Sequence, residues 1–394
     1  MVPLDWMNND HAAHGARARG NPRRLPSAAA LRGTLLLALL ASLACASTRD
    51  AADGPEPAAS ASTTARPADQ KAPFDDIRGI TVSCGWHSAW ANPSMKEFLG
   101  SVPEVSANWV TIHPYAKVSK ETGEVDWLPE EGTEYIVRPI RWAHEAGLKI
   151  MVKPHLAYWG QFSWRGEVGW GPDENNAAWQ RFRATNREWI LRIAAICAAE
   201  GADLFVVGTE LRLAEHMEDY WKGLIRDVRT VYDGPLTYAA NWDDFHEVPF
   251  WSHLDYVGVQ AYFPLSNAGN PSVDELRSAW ARHAATMKRV GRAVGKPVLL
   301  TEVGYSNTAT AASRPWEPEG PPEPDGLQAR CLRVALETVR DDPGIAGAFI
   351  WKWFPTLRSI GPGDFTVQTD EFKALLREIW SASDSAEGTR ALRP

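Results

Sequence analysis

Eight short apolar runs alternate with longer amphipathic runs between residues 79 and 351. Runs that are apolar throughout are typical of parallel strands whose outer face is covered by helices. The strands are predicted at Gly79–Cys84, Trp109–Pro114, Leu148–His155, Leu204–Thr209, Leu236–Asn241, Tyr256–Tyr262, Pro297–Gly304 and Ala346–Trp351. Eight such units in about 310 residues match a (β/α)8 TIM barrel, an α/β fold, better than a doubly wound sheet. The sequence also lacks the glycine-rich phosphate loop that such an open sheet would carry.

The segments between the strands have the periodicity of helices with one buried face. Apolar residues recur at spacings of three and four at Met217, Tyr220, Trp221, Leu224, Ile225, Val228 and Val231, and the preceding helix repeats this pattern from Trp189 to Cys197. Gly147, Gly201 and Gly295 stand just before the next strand, where helices commonly end. The pattern therefore predicts helices that return the chain to the start of each strand.

The N-terminal residues have the pattern of an export signal. Five arginines precede residue 33, and the apolar run from Gly33 to Leu43 is too short to span a bilayer. Residues 1–45 are therefore predicted to be a signal peptide, and Ala41–Cys45 resembles a bacterial lipobox in which Cys45 would be lipidated. The alternative is simple secretion, with Cys45 only a small residue near the cleavage site. In both cases the protein would be exported. Any membrane contact would be through a lipid anchor at Cys45.

The rest of the chain divides into three segments by composition. Residues 46–73 are rich in Ala, Ser, Thr and Pro and are predicted to be a disordered linker. Residues 74–383 hold the predicted catalytic barrel, and residues 384–394 are predicted to be a flexible tail. Three cysteines remain after Cys45, at Cys84, Cys197 and Cys331; we expect buried thiols, although an exported protein could form one disulfide bond.

The overall charge argues against a nucleic-acid partner. The chain has 41 basic and 49 acidic residues, a net charge of −8, whereas a nucleic-acid binder needs a basic face. It also has 19 tryptophans, against 9 tyrosines and 12 phenylalanines. Such an excess of tryptophan indicates that the fold or its ligand requires flat, rigid, amphipathic surfaces. We expect a monomer.

Two predicted strands end in the same dipeptide, Thr-Glu. Thr209-Glu210 follows the fourth strand and Thr301-Glu302 follows the seventh. In this barrel the active site lies at the carboxyl ends of the strands, so the two glutamates should face one cavity. Two facing carboxyl groups are what glycosidic bond cleavage requires, one as proton donor and one as nucleophile. A single strand-end Glu more often forms a salt bridge or caps a helix; the pair favours catalysis.

The other strand ends carry aromatic and hydrogen-bonding side chains. Tryptophan faces stack on the C–H faces of pyranose rings, while Asn, His and Lys bind hydroxyl groups, so the set suits a neutral polysaccharide. The candidate substrate-binding residues are Trp86, His113, Lys153, His155, Thr209, Asn241, Trp242, Tyr262, Trp351 and Trp353. The loop from Tyr158 to Trp170 is a candidate wall of subsites. The insertion from Ser306 to Asp325 is either a rim for substrate or a long surface loop.

No metal or cofactor is expected. His113 and His155 come from neighbouring strands, but the sequence offers no third ligand at a suitable spacing. His144-Glu145-Ala146-Gly147 is not an HExxH motif, and no GxSxG nucleophile elbow is present. Metal-dependent and serine-hydrolase chemistry are therefore both disfavoured.

These motifs resemble clan A retaining glycoside hydrolases. Gly208-Thr209-Glu210-Leu211, Thr301–Tyr305 and Trp351-Lys352-Trp353 are most similar to family 113, known for endo-β-1,4-mannanases, over residues 75 to 383. The resemblance implies that Glu210 is the general acid/base, that Glu302 is the nucleophile with a hydrogen bond from Tyr262, and that Trp351 forms the floor of the reacting subsite. Much of the clan has Asn where Thr209 stands, a residue that contacts the sugar 2-hydroxyl.

Two alternatives to a mannanase stay open. The first is a related barrel hydrolase that acts on β-glucan or amino-sugar polymers. The second is a non-catalytic sugar-binding lipoprotein that keeps the barrel and its aromatic residues, although the presence of both glutamates argues against it.

Overall fold

Eight parallel strands close into a barrel in the computed structural model, which describes residues 74–84, 87–127, 132–356, 360–361 and 363–390. We number the barrel strands β1 to β8. They are Ile77–Val82, Trp109–Ile112, Lys149–Val152, Leu204–Thr209, Leu236–Asn241, Val257–Gln260, Val298–Val303 and Ile345–Trp353. Each strand pairs with its neighbours in chain order, and β8 closes the barrel on β1. The predicted TIM barrel is confirmed. The predicted signal peptide, Cys45 and the predicted linker lie outside the described residues and stay predictions.

Helices follow the strands and cover the barrel. The longer helices run over Pro93–Ser101, Glu134–Glu145, Ala177–Glu200, Glu218–Arg229, Val273–Val294, Leu327–Asp341 and Asp370–Arg390, and a short one spans His87–Trp90. Gly201 and Gly295 cap two of them in the left-handed conformation that glycine adopts without strain. Ser272 and Glu275 form a reciprocal capping box at the start of Val273–Val294. The final helix continues to Arg390, past the predicted domain boundary at residue 383.

The third predicted strand differs from the observed one. It was expected over Leu148–His155, but β3 ends at Val152, and His155–Ala157 is a separate strand. Pro154 lies between the two and has no backbone N–H for a sheet hydrogen bond. The separate strand joins Tyr115–Val118 and Val125–Asp126 in a three-stranded sheet, which we call the side sheet. The side sheet therefore continues from the carboxyl ends of β2 and β3.

Large side chains fill the amino-terminal half of the barrel interior. Trp109, Met151, Tyr256 and Phe349 belong to one buried cluster there. Gly79 leaves the space that the Phe349 ring occupies, because a Cβ on residue 79 would lie 2.2 Å from that ring. The closed interior means that ligands can approach only at the ends of the strands.

Two further expectations concern the cysteines and the membrane. Cys84, Cys197 and Cys331 are buried and unbridged, and burial raises the pKa of each thiol. Among the helices in the described part of the chain, none combines the length and apolar character needed to cross a membrane.

We expect Gly258→Ala to destabilise the barrel. A Cβ at residue 258 would lie 2.1 Å from the carbonyl oxygen of Tyr238 on β5, and a strand backbone cannot move aside cheaply. Overpacking of this kind lowers the free energy of unfolding by about 1–3 kcal/mol. Denaturant unfolding measures the change. Gly100→Ala is the control, since that helical glycine has no atom within 4 Å of the added Cβ, and alanine should stabilise it slightly. Equal stability of the two variants would mean that the barrel accommodates a Cβ at residue 258 without strain.

Candidate active site

Glu210 directly follows β4 and is 2 % exposed. Its backbone has a φ of +53°, in the left-handed region that non-glycine residues rarely adopt. Its N–H donates to the carbonyl oxygen of Ala239 on β5 at 2.8 Å, so the turn is fixed to the neighbouring strand. Strained conformations of this kind concentrate at functional sites. The turn aims the carboxyl group into the carboxyl end of the barrel.

Arg165 and Gln260 bind the Glu210 carboxyl group. Arg165 Nη1 donates to Oε2 at 2.9 Å, and Gln260 Nε2 donates to Oε1 at 3.5 Å. Arg165 is itself held by the carbonyl oxygen of Leu156, 3.1 Å from Nε. Burial raises the pKa of Glu210 to about 7, although Arg165 opposes that shift; the negative charge of Glu302 adds to it. Glu210 can therefore hold a proton near neutral pH.

Glu302 on β7 has a different set of partners. Lys153 Nζ donates a short hydrogen bond to Oε1, and the Tyr262 hydroxyl donates to Oε2 at 2.6 Å. His155 Nε2 lies 3.8 Å from Oε1. Glu302 is 1 % exposed and Lys153 is fully buried. Burial lowers the pKa of Lys153, and the charge of Glu302 opposes this. Hydrogen bonds from a cation and a phenol to a carboxylate favour its ionised form.

Gln260 at the end of β6 connects the two carboxyl groups. Its Oε1 accepts hydrogen bonds from Thr301 Oγ1 at 3.0 Å and from Lys153 Nζ at 3.4 Å, while its Nε2 donates to Glu210. Lys153 in turn binds Glu302. Both glutamates therefore belong to one buried hydrogen-bond network at the mouth of the barrel. One carboxyl group is suited to donating a proton and the other to acting as an anion.

Aromatic rings surround this network on two sides. On the β2–β3 side His113 lies between Trp351 and His155, with ring centroids 5.3 and 5.1 Å away. On the other side Trp242 after β5 stacks on Trp316 of the insertion, with centroids 5.1 Å apart and an interplanar angle of 17°. Both members of that pair are half-buried. Tyr262 and Trp351 pack in the same cluster.

The insertion from Ser306 to Asp325 is anchored to the barrel mouth at several points. Its Thr308 bridges Pro322 within the insertion, and Ala312 accepts backbone hydrogen bonds from Leu265 and Ser266 after β6. Asn307 exchanges hydrogen bonds with the segment around Asp364. These hydrogen bonds fix the insertion to the barrel mouth and hold Trp316 in place, which favours a rim over a long surface loop.

A second carboxyl pair, Glu215 and Asp244, lies behind Glu210. Burial, followed by the charge of Asp244, raises the pKa of Glu215. Burial, with the negative charge of Asp243, raises the pKa of Asp244 to about 7. Tyr238 donates to Glu215 at 2.8 Å and accepts from the N–H of Leu211 at 2.7 Å. Glu215 thus holds Tyr238, which in turn binds the residue directly after Glu210.

Several predicted substrate-binding residues have hydrogen-bond partners within the protein. Thr209 Oγ1 donates to the carbonyl oxygen of Pro154 at 3.1 Å, and Asn241 Nδ2 donates to Asp243 at 2.8 Å. Trp353 is buried, and its Nε1 donates to the carbonyl oxygen of Val367 at 2.7 Å. Lys153 points at Glu302 rather than into the open cleft. Trp86 lies outside the described residues.

Two residues of the network were not predicted as site residues. Arg165 lies in the loop after β3, where no strand pattern marks its position; its signal is a lone arginine among the glycines and tryptophans of that loop. Gln260 ends the sixth strand, directly before Ala261-Tyr262, and strand-end position alone could have identified it. Within the described ranges, no group of three or more His, Cys, Asp and Glu residues could hold a metal ion.

Comparison with known proteins identifies the family. The model of Glycoside Hydrolase Family 113 matches residues 82–364. The fold is similar to that of the GH113 β-mannanase AaManA from Alicyclobacillus acidocaldarius, with a TM-score of 0.69 and 24% identity, over 80% of this chain and 100% of that one. A second GH113 β-1,4-mannanase gives 0.68 and 22%, over 78% and 99%.

A more distant similarity reaches another glycoside hydrolase family. A family 5 enzyme from Bifidobacterium longum, solved with Manβ1-4GlcNAc, gives a TM-score of 0.51 and 15% identity, over 79% of this chain and 78% of that one. No curated protein matches the sequence. The family 113 match covers well over half of the residues, so this chain belongs to glycoside hydrolase family 113 and is a glycoside hydrolase.

Proposed function

We propose that the protein is an endo-β-1,4-mannanase that cleaves its polysaccharide by double displacement and retains the anomeric configuration. The observation that carries this proposal is the shared network of Glu210 and Glu302. The two carboxyl groups are buried, joined through Gln260 and Lys153, and surrounded by different partners. Burial raises the pKa of Glu210, as a proton donor requires, whereas Glu302 accepts hydrogen bonds from Lys153 and Tyr262, which suits a nucleophile.

In the first step the ionised Glu302 attacks the anomeric carbon of the bound sugar. The bond from that carbon to the glycosidic oxygen breaks, and Glu210 transfers its proton to the leaving oxygen. A glycosyl ester of Glu302 results, with the configuration inverted once. In the second step Glu210 removes a proton from water, the water oxygen attacks the same carbon, and Glu302 leaves as carboxylate. The second inversion restores the original configuration.

The neighbouring side chains assist in separate ways. Lys153 and Tyr262 hold the Glu302 oxygens, so the nucleophile is oriented before substrate arrives. Trp351, close to His113 and His155 and 1 % exposed, would form the floor of the reacting subsite. Trp242 and Trp316 offer a second aromatic surface, which would bind a further sugar unit. Aromatic walls on two sides suit a cleft that binds a chain internally.

The choice of mannan rests on the similar solved structures, two of which are named as β-mannanases. The alternatives from the sequence are β-glucan or amino-sugar polymers as substrates, and sugar binding without turnover. A buried acid with its pKa raised to about 7 next to a second carboxylate favours turnover, because binding alone needs neither group.

A hydrolysis screen with the purified full-length chain tests the proposal. We expect turnover of mannan and glucomannan, with much less of cellulose derivatives, xylan and chitosan. Proton NMR of the first products should show the β-anomer. Binding without hydrolysis would support the non-catalytic alternative, and α-anomeric products would overturn the retaining mechanism.

We expect Glu302→Ala and Glu210→Gln to abolish most activity and leave the fold intact. Loss of the acid should lower kcat by about 10²–10⁴-fold on polysaccharide, and loss of the nucleophile should lower it at least as much. Azide should restore turnover to Glu302→Ala by attacking the anomeric carbon in its place, giving an α-glycosyl azide. Glu188→Gln, an exposed helical position, is the control. Near-normal kcat in either active-site variant would remove its assigned role.

The pH dependence should report the ion pair between Arg165 and Glu210. The acid must be protonated, so we expect kcat/KM to fall as the pH rises through about 7. Arg165→Gln removes a cation that opposes the raised pKa of Glu210, so the alkaline limb should move to higher pH. Arg165→Lys keeps the charge and should shift the limb less. A profile that stays in place or moves to lower pH in Arg165→Gln would contradict this assignment.

A further inference from the structure

A groove of about 830 Å³ runs along the side sheet, outside the catalytic network. Its lining includes Lys117, Ser119, Thr122, Asp126, Trp159 and Gln161. The volume lies within the range of pockets that bind small organic ligands, roughly 300–1,000 Å³. The catalytic mechanism proposed above uses none of these residues.

The groove continues from the active site along one strand. His155, whose Nε2 is 3.8 Å from Glu302, begins the strand His155–Ala157, and Ala157 lines the groove. Two residues of an extended strand span roughly 7 Å. The Tyr115 ring spans the same interval, with its centroid 5.7 Å from that of His155 and 5.2 Å from that of Trp159. The groove therefore begins within two residues of a side chain that lies beside the catalytic network.

The chemistry of the lining suits a neutral, hydroxyl-rich ligand. Trp159 supplies a half-buried aromatic surface, while Ser119, Thr122 and Gln161 supply uncharged polar groups. Lys117 and Asp126 are opposite each other in the antiparallel ladder of the side sheet, and both are exposed. Because charges of both signs are present, the groove has no preference for an anion or a cation. Neutral hydroxyl groups can use donors and acceptors of both kinds.

The walls of the groove are fixed before any ligand binds. Gln161 accepts a hydrogen bond from the N–H of Lys120 at 3.0 Å. Val125 donates to Thr185 Oγ1 at 2.9 Å, and Glu124 forms an ion pair with Arg181 of the same long helix. Prearranged walls reduce the entropy that binding would otherwise cost.

We propose that this groove binds sugar units of the polysaccharide beyond those that flank the scissile bond. The inference rests on the proposed function and deepens it, because it identifies where a long chain gains binding free energy that a short one does not. Trp159 stacks on one sugar face, and Lys117 and Asp126 bind its hydroxyl groups. The groove therefore makes the enzyme select long chains over short ones.

The test compares β-1,4-manno-oligosaccharides from disaccharide to hexasaccharide with the full-length protein. We expect kcat/KM to rise with chain length in the wild type. Trp159→Ala should lower kcat/KM for the hexasaccharide about tenfold, chiefly through KM, and leave the shortest hydrolysed substrate nearly unchanged. Lys117→Ala/Asp126→Ala changes only exposed side chains and should flatten the length dependence in the same direction without affecting folding.

Two matched controls lie outside the groove. Trp142→Ala removes a half-buried tryptophan from the helix Glu134–Glu145, and Arg141→Ala/Glu200→Ala removes an exposed ion pair. Both should keep the wild-type length dependence. Equal losses on all chain lengths in the groove variants, or no rise with length in the wild type, would overturn the groove proposal while the hydrolase stands. An inactive wild type on every mannan substrate would overturn the proposed function instead.

Discussion

Burying two carboxyl groups at one end of a closed barrel is unfavourable unless each is neutralised or paired, and this constraint organises the mouth of the molecule. Removing an ion from water costs several kcal/mol even after relaxation. For Glu302 the hydrogen bonds from Lys153 and Tyr262 offset this cost. For Glu210 the ion pair with Arg165 and partial protonation offset it. Lys153 directly follows β3, Arg165 lies in the loop after it, and Tyr262 follows β6. The site thus requires the closed barrel, because no two adjacent strands could supply all of these groups.

The sequence was sufficient to predict the barrel and the placement of Glu210 and Glu302 at strand ends of its mouth, because both signals are local. Apolar runs, helical periodicity and Thr-Glu at two strand ends can be read within a few residues. Arg165 could not be assigned in this way, since its contact with Glu210 spans 45 positions and depends on the path of an irregular loop. Lys153 was identified as a strand-end residue, but its buried contact with Glu302 depends on the barrel cross-section.

The position of Trp353 could not be predicted from the sequence for a different reason, a break in strand register. Trp351 and Trp353 stand together at the end of the eighth predicted strand, and both were predicted to line the mouth of the barrel. The pairing of β1 with β8 shifts, however: Ile80 pairs with Ile350, but Val82 pairs with Trp353. Two residues along β1 therefore correspond to three along β8, so β8 has a bulge here. A register shift of one residue moves the following side chains to the other face of the sheet. Trp353 consequently packs on the outer face of the barrel, against Phe98 of the helix Pro93–Ser101.

Burial is the main cause of the raised pKa of Glu210, and the smaller contribution from the charge of Glu302 explains how one residue can serve two steps of the proposed mechanism. While Glu302 is ionised, its charge favours the protonated form of Glu210, as the first step requires. Formation of the glycosyl ester removes that charge. Arg165 and Lys153 still favour ionisation, and the pKa of Glu210 falls. After it has donated its proton, Glu210 therefore stays ionised and can act as the base that deprotonates water. The release of the ester restores the charge on Glu302 and with it that charge's contribution to the raised pKa of Glu210, which returns the site to its starting state after each turnover.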